Sequence, residues 1–121
     1  MPTKLGTYMV RDGDHVVCDV EIGNGHPGAS SVYLAGRELG SGAIQLRDVS
    51  VGIGATLQGQ TLVVTSVMQN EGAPTNLMSA TVTLRGGPSP QPYLQEFTAH
   101  TPHERVALAF QISFEDHAAD L

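Results

Sequence analysis

The sequence feature that most limits the fold is a strict alternation of side chains in RVALAFQISFE, residues 105–115. Large apolar residues occupy every second position, and Arg, Ala, Gln, Ser or Glu fill the positions between them. Successive side chains of a β-strand point to opposite faces, whereas a helix would spread these apolar residues around its axis. The segment is therefore predicted to be a strand with one face on a hydrophobic core.

The same two-residue period recurs along the chain. Gly, Pro, Asn and Asp separate the alternating segments, and they are the residues that turns require. NEGAPTN, residues 70–76, is predicted to be a hairpin loop, and no helix is predicted because glycines interrupt the one doubtful segment, 53–60. The clear strand segments are 15–22, 61–70 and 77–85, and the weaker ones are 7–10, 30–35, 43–51 and 92–99.

These observations predict an all-β chain with one domain spanning residues 1–121. With 121 residues, 14 Gly and 7 Pro, the chain has enough length for one core and a turn after each short strand. The predicted fold is an antiparallel β-sandwich of seven or eight strands. An immunoglobulin-like layout is one option, although the chain has no Trp and no second Cys, and a shared layout implies no function.

The charge balance excludes some classes of partner. The chain is acidic, with a net charge of −6, and its six Lys and Arg residues are scattered singly. Nucleic acids and anionic membranes bind through clustered basic residues, so neither is a predicted partner. No apolar run reaches the ~20 residues of a membrane-spanning helix. Cys18 is the one cysteine, and no secretory signal is visible, so a cytoplasmic location is predicted.

The segment HTPHE, residues 100–104, is a candidate metal site. His100, His103 and Glu104 carry groups that bind zinc. Zinc proteases place two histidines one turn apart on a helix, but Pro102 and the strand that follows make this segment a loop. A remote residue would have to complete such a site. The alternative is that these residues are the exposed polar start of a strand.

The segment RDGDH, residues 11–15, is a candidate calcium site. Asp12 and Asp14 flank a glycine, and oxygen-rich loops of this kind bind calcium. The segment lacks the further acidic residues of an EF-hand loop, so Asp19, Glu21 or Asp48 would have to contribute through space. The alternative is that Asp-Gly simply forms a good turn.

No catalytic motif is present in the sequence. No serine lies in Gly-x-Ser-x-Gly, and Cys18 has no adjacent base and is predicted to face the core. An enzyme is therefore not favoured, and no cofactor is predicted beyond the calcium and zinc alternatives. Tyr33 and Tyr93 are candidate contacts for a carbohydrate, since a tyrosine ring combines apolar area with a polar group.

Three valines lie on the side of their strands opposite the predicted core residues. Val17, Val63 and Val67 give these strands a second apolar side, and exposed apolar stripes on sheets usually mark a contact surface. The predicted function is a non-catalytic protein-interaction or assembly module that forms homo-oligomers through an apolar sheet face. The alternatives are a β-sandwich module that binds carbohydrate or calcium, and a small metal-dependent enzyme that uses the loop histidines.

Overall fold

The computed structural model describes residues 1–71 and 75–117, which form an all-β structure with one short helix. Within this part of the chain no helix is long and apolar enough to cross a membrane. The elements in chain order are β1 (Thr3–Val10), β2 (His15–Ile22), β3 (Gly28–Leu34), β4 (Arg37–Ala43), β5 (Gln45–Ile53), α1 (Gly54–Leu57), β6 (Thr61–Gln69), β7 (Leu77–Arg85), β8 (Gln91–Thr98) and β9 (Arg105–Asp116).

The strands form two sheets that share one hydrophobic core. The five-stranded sheet has the order β1-β9-β6-β3-β4, and the four-stranded sheet has the order β5-β2-β7-β8. Alternate residues of β2, β6, β7 and β9 are buried, as their sequence period predicts. The largest fully buried side chains include Phe110, Phe114, Leu62, Met78 and Leu84, so both sheets contribute to the core.

The described residues contain nine strands, more than the seven or eight predicted. The strand that the sequence did not reveal is β4, because it has glycines where the alternation needs large residues. Gly40 and Gly42 face the next strand, where a Cβ atom at Gly42 would lie 2.8 Å from Leu46 Cδ2. Side chains of β5 therefore fill the space that side chains of β4 would otherwise occupy.

Two further expectations about strand pairing were wrong. β1 pairs in parallel with β9, with Thr3 opposite Ala109 and Val10 opposite Asp116, whereas all other pairs in the described residues are antiparallel. The first and last strands share no connecting turn, so no hairpin fixes their relative direction. The segment 70–76 is not a hairpin loop, because it joins β6 of one sheet to β7 of the other; residues 72–74 lie outside the described part.

The segment 53–60 contains a helical turn, α1, which the glycine content argued against. Its Leu57 is 1% exposed and packs in the core. The backbone N–H of Gly54 donates to Asp14 O at 2.8 Å, and a Cβ atom at Gly54 would lie 1.8 Å from Arg11 O. Glycine is therefore required here for close approach to the β1–β2 turn.

Two tyrosines tie the edge strand β1 to the opposite sheet. The Tyr93 hydroxyl of β8 donates to Thr7 O at 2.7 Å, and the Tyr8 hydroxyl of β1 donates to Ser89 O at 3.0 Å. Tyr8 also accepts a hydrogen bond from the Gly87 N–H at 3.0 Å. An edge strand presents unpaired backbone groups, and these contacts satisfy one of them and cover others.

The buried hydroxyl of Tyr93 predicts a loss of stability at alkaline pH. Burial raises the pKa of Tyr93 to about 12, against about 10 in an unfolded chain. Because the folded state holds this proton more tightly, Tyr93 stabilises the fold below about pH 10, and this stabilisation disappears as the pH rises to about 12. We expect the free energy of unfolding to fall more steeply over this interval in the wild type than in Tyr93→Phe, measured by urea denaturation. Parallel curves for the two proteins would contradict the prediction.

Candidate functional site: the outer face of the five-stranded sheet

The outer face of the five-stranded sheet carries no charged side chain over most of its area. The outward residues alternate with buried ones along β3 and β6 and along most of β9, where the outward Ala109 is itself only 6% exposed. The strand register places them in rows across all five strands. We call the following residues the uncharged face: Thr3, Leu5 and Thr7 of β1, Ala107, Ala109, Gln111 and Ser113 of β9, Thr61, Val63, Thr65 and Val67 of β6, Ala29, Ser31 and Tyr33 of β3, and Ser41 and Ala43 of β4.

Three of the exposed large hydrophobic side chains belong to the uncharged face. Leu5 is 71% exposed, Tyr33 is 38% exposed and Val67 is 37% exposed. Val63 is half-buried between Tyr33 and Gln111, its neighbours in register. Most of the remaining positions are Ala, Ser or Thr, so the face combines a few apolar projections with a surface of short side chains.

The outer face of the four-stranded sheet has the opposite character. Arg85 of β7 donates from Nε to Asp19 Oδ2 at 2.8 Å and from a terminal guanidinium nitrogen to Asp19 Oδ1 at 3.1 Å. A guanidinium nitrogen also contacts Asp48, and the Asp48 N–H donates to Asp19 Oδ1 at 2.8 Å. The hydrogen bonds from Arg85 are the main cause that lowers the pKa of Asp19. Charged groups thus cover the centre of this sheet.

The sheets separate the three valines that the sequence grouped as one interface. Val63 and Val67 lie on β6 and belong to the uncharged face, where Val67 is the more exposed. Val17 lies on β2, opposite Arg85, on the outer face of the other sheet. The two faces lie on opposite sides of the core, so one flat contact surface cannot include all three residues. Alternation shows that a residue points away from the core but not to which sheet it belongs.

The side chains of HTPHE contact their own loop and the segments beside it. Glu104 Oε1 accepts hydrogen bonds from the backbone N–H groups of His100, at 2.8 Å, and Thr101, at 3.3 Å. The His100 ring lies edge-on to Phe97, with ring centroids 6.0 Å apart. His103 Nδ1 lies 3.7 Å from Glu71 Oε1 across the neighbouring loop. The carboxylate that would complete a metal site therefore stabilises the loop backbone.

The residue that organises this end of the molecule, Asn70, was not predicted from the sequence. Its side chain is 7% exposed, and its Nδ2 donates to Asn76 Oδ1 at 3.0 Å and to Thr101 O at 3.1 Å. Its backbone N–H donates to Glu104 O at 2.8 Å, and its carbonyl accepts from the His103 N–H at 2.7 Å. Asn70 thus joins the β6–β7 connection to the β8–β9 loop, and its position just after an alternating strand was the available sign.

Asn70→Ala is expected to lower the free energy of unfolding by about 1–3 kcal/mol. The substitution removes two part-buried side-chain hydrogen bonds and leaves the Thr101 carbonyl without that donor. Thermal and urea unfolding measure the effect. Asn76→Ala is the matched control: it removes one of the two hydrogen bonds from an exposed residue and should cost less. An equal or larger loss for Asn76→Ala would contradict the role given to Asn70.

The two aspartates of RDGDH hold the β1–β2 turn against α1. Asp14 Oδ2 accepts from the Arg11 backbone N–H at 2.7 Å, and Asp14 Oδ1 lies 3.2 Å from Arg11 Nε. The backbone hydrogen bond is the main cause that lowers the pKa of Asp14. Asp12 Oδ1 accepts from Gln58 Nε2 at 2.8 Å. The Asp14 carboxylate therefore has its partner within the turn, and the Asp12 carboxylate has its partner at the end of α1.

The two tyrosines proposed as carbohydrate contacts lie in different environments. Tyr33 is part of the uncharged face, and its hydroxyl is 3.5 Å from Glu38 Oε1. Tyr93 is 7% exposed and packs under Gly6, where an added Cβ atom would lie 2.6 Å from the ring. The structure does not bring the two rings together on one surface, because Tyr93 faces the core and Tyr33 faces outward.

Other reactive or metal-binding groups are dispersed. Cys18 is fully buried, and burial raises the pKa of its thiol to about 12. Within residues 1–71 and 75–117, no three His, Cys, Asp or Glu side chains are grouped so that they could hold a metal ion. The uncharged face is thus the most extensive unusual feature of the described surface.

Comparison of the chain with protein-family models, with curated proteins and with solved structures finds no match.

Proposed function

We propose that this chain is a non-catalytic protein-interaction or assembly module that forms homo-oligomers through its uncharged face. One observation supports the proposal above all: in a chain with a net charge of −6, the outer side of the five-stranded sheet carries charged side chains only at its margins, at Arg105, Glu115 and Glu38. The cores of protein interfaces are depleted of charged residues and enriched in apolar and aromatic ones. Leu5, Tyr33 and Val67 are the exposed groups that a second copy would cover.

The size of the face supports self-association. Five strands spaced about 4.8 Å apart, each about eight residues long, span a projected area of about 650 Å². A standard protein interface buries about 800 Å² of accessible surface on each partner. Accessible area exceeds projected area because side chains protrude, so the face is large enough for one stable contact.

The test is the oligomeric state in solution. We expect sedimentation equilibrium at high micromolar concentration to show a dimer or larger assembly. Val67→Asp should shift it towards monomer, because a carboxylate would be buried in the contact. Leu94→Asp is the matched control, since Leu94 is 48% exposed on β8 of the other sheet. A monomeric wild type, or an equal effect of both substitutions with unchanged melting temperatures, would refute the proposal.

The fold itself is part of the proposal. We infer that the two sheets around one core form a single-domain β-sandwich. The third, sixth and last strands, β3, β6 and β9, lie side by side, as strands C, F and G do in immunoglobulin-like domains. The hairpin β7–β8, inserted before the last strand, is an addition to that layout.

A cytoplasmic location is proposed because the lone Cys18 leaves the chain without an internal disulfide.

A polar depression on the outer face of the four-stranded sheet favours a second function, binding of a small hydroxylated ligand. Carboxylate, guanidinium, amide and hydroxyl groups together match the donors and acceptors of a neutral sugar. A panel of neutral monosaccharides, followed by NMR shift perturbation, tests this function. Shifts lost in Thr83→Val would support it, and a panel without shifts would exclude it. The lining side chains include Asp19, Glu21, Gln45, Arg47, Thr81 and Thr83.

The metal alternatives stay predictions with a direct test. Zinc would be held by His100, His103 and Glu104, and calcium by Asp12 and Asp14. Native mass spectrometry before and after EDTA reads bound metal and subunit number together. A stoichiometric metal removed by EDTA would favour one of these sites, and the substitutions His103→Ala and Asp12→Asn would then distinguish them.

A further inference from the structure

The two ends of β9 carry opposite charges on the outer side of the five-stranded sheet. Arg105 begins the strand and Glu115 lies near its end, with only the uncharged Ala107, Ala109, Gln111 and Ser113 on that side between them. Both end residues are exposed, and no ion pair of the described residues includes either one. At about 3.4 Å per residue the two charges stand about 34 Å apart. The uncharged face is therefore bounded by a cation at one end and an anion at the other.

The strand register places bulky and small side chains in two adjacent rows that cross the centre of the face and end at β4, where Glu38 continues the bulky row at the margin of the uncharged face. The small row contains residues with at most three side-chain carbon or oxygen atoms, whereas four of the five residues in the bulky row have at least four. Because the rows are neighbours, a rotation that exchanges them brings large side chains onto small ones. The bulky row is Leu5, Gln111, Val63, Tyr33 and Glu38, and the small row is Thr3, Ala109, Thr65, Ser31 and Ser41.

We propose that a second copy of this chain stacks on the uncharged face with its β9 antiparallel to the first β9. The two-fold axis would pass over β9 between Ala109 and Gln111. It would lie in the plane of the contact and run perpendicular to the strands. This arrangement rests on the proposed self-association and specifies its geometry. A two-fold contact uses the same patch on both copies, so each favourable pair occurs twice.

The antiparallel arrangement satisfies both the charges and the shapes. Arg105 of each copy lies over the end of β9 that carries Glu115 in the other, which gives two attractive pairs. The bulky row of each copy lies over the small row of the other, so Leu5 projects onto the position of Thr3. Glu38 lies over the position of Ser41 and meets no second carboxylate.

The parallel arrangement lacks these features. A two-fold axis along the strands places each row over itself, so the projecting side chains of the bulky row would meet one another. It also places like ends of the two sheets together, so that Arg105 does not approach Glu115. Glu38 would then lie over the apolar Leu5, where its charge would lose water without gaining a partner.

Charge reversal tests the arrangement. Arg105→Glu and Glu115→Arg each turn two attractive pairs into repulsive ones, so each should weaken the dimer by about tenfold or more. The double variant, Arg105→Glu with Glu115→Arg, restores two attractive pairs and should recover the affinity to within about threefold. Sedimentation equilibrium at low salt measures the dissociation constants. Arg105 and Glu115 are exposed in each chain, so the substitutions should not disturb the core. Melting temperatures verify that the variants fold.

The possible outcomes separate this inference from the proposed function. A monomeric wild type would refute self-association, and the antiparallel arrangement with it. A dimeric wild type whose single variants bind as tightly as the wild type would refute the antiparallel arrangement alone. A double variant whose dissociation constant is raised by both single effects multiplied together would also refute it. The exchanged charges at positions 105 and 115 would then not meet across the contact.

Discussion

Replacing Gly86 with alanine is expected to lower the free energy of unfolding by about 3 kcal/mol or more. Gly86 directly follows β7 and has φ +100°, a backbone conformation that side chains disfavour. A Cβ atom there would lie 1.9 Å from His15 O and 3.3 Å from Val16 Cα. Both contacts are with backbone of β2, which cannot move without disturbing the core. Urea denaturation of the wild type and Gly86→Ala measures the loss.

Two other glycines separate backbone strain from steric overlap. Gly36 also has a positive φ, +78°, but a Cβ atom there would meet nothing within 4 Å. Gly36→Ala should therefore cost only the strain of the left-handed conformation, about 1–2 kcal/mol. Gly13, with open space and no positive φ, should tolerate alanine with little loss. If Gly86→Ala cost no more than Gly36→Ala, the close packing of β7 on β2 at this point would be wrong.

Phe110→Ala is expected to lower the free energy of unfolding by about 3–5 kcal/mol. Phe110 is fully buried at the middle of β9, with Lys4 of β1 and Val64 of β6 as its neighbours in register. Its removal would leave a cavity that strands paired on both sides cannot close. The midpoint and slope of urea denaturation give the change, and an unchanged slope would indicate that the unfolded state is unaffected.

Phe97→Ala is the matched control for the cavity. Phe97 is only partly buried at the edge of the core, beside His100. The space left by its ring opens to solvent, so the loss should be clearly smaller than that for Phe110→Ala. Equal losses would show that Phe110 is not at the centre of the core.

The sequence was sufficient where a strand has one buried face. The alternation in 15–22 and 77–85 predicted β2 and β7 residue for residue, and β6 and β9 differ from prediction by one residue at one end. It failed for β4, because Gly40 and Gly42 leave the inward space to side chains of β5. It also missed the buried hydrogen bond between Ser30 and Ser66, 2.7 Å, since two serines at inward positions look like breaks in the pattern.

The candidate sites depend on contacts between segments distant in the chain, which period and composition do not encode. HTPHE has the composition of a metal site, yet the Glu104 carboxylate is taken by backbone N–H groups of its own loop. The uncharged face combines residues from five strands, and only the order of those strands shows that Val67 belongs to it and Val17 does not. Outward apolar residues could be identified from sequence, but the surface that they form could not.

The parallel pairing of β1 with β9 has a mechanical consequence. Thr3 lies at one end of this pair and Asp116 at the other, so a force that pulls these two residues apart acts along both strands. Their hydrogen bonds, which run across the strands, would then be sheared together and not peeled one after another. The β1–β9 pair would resist extension as a unit, and the tyrosine contacts of β1 with β8 and the β7–β8 loop would bear part of the same load.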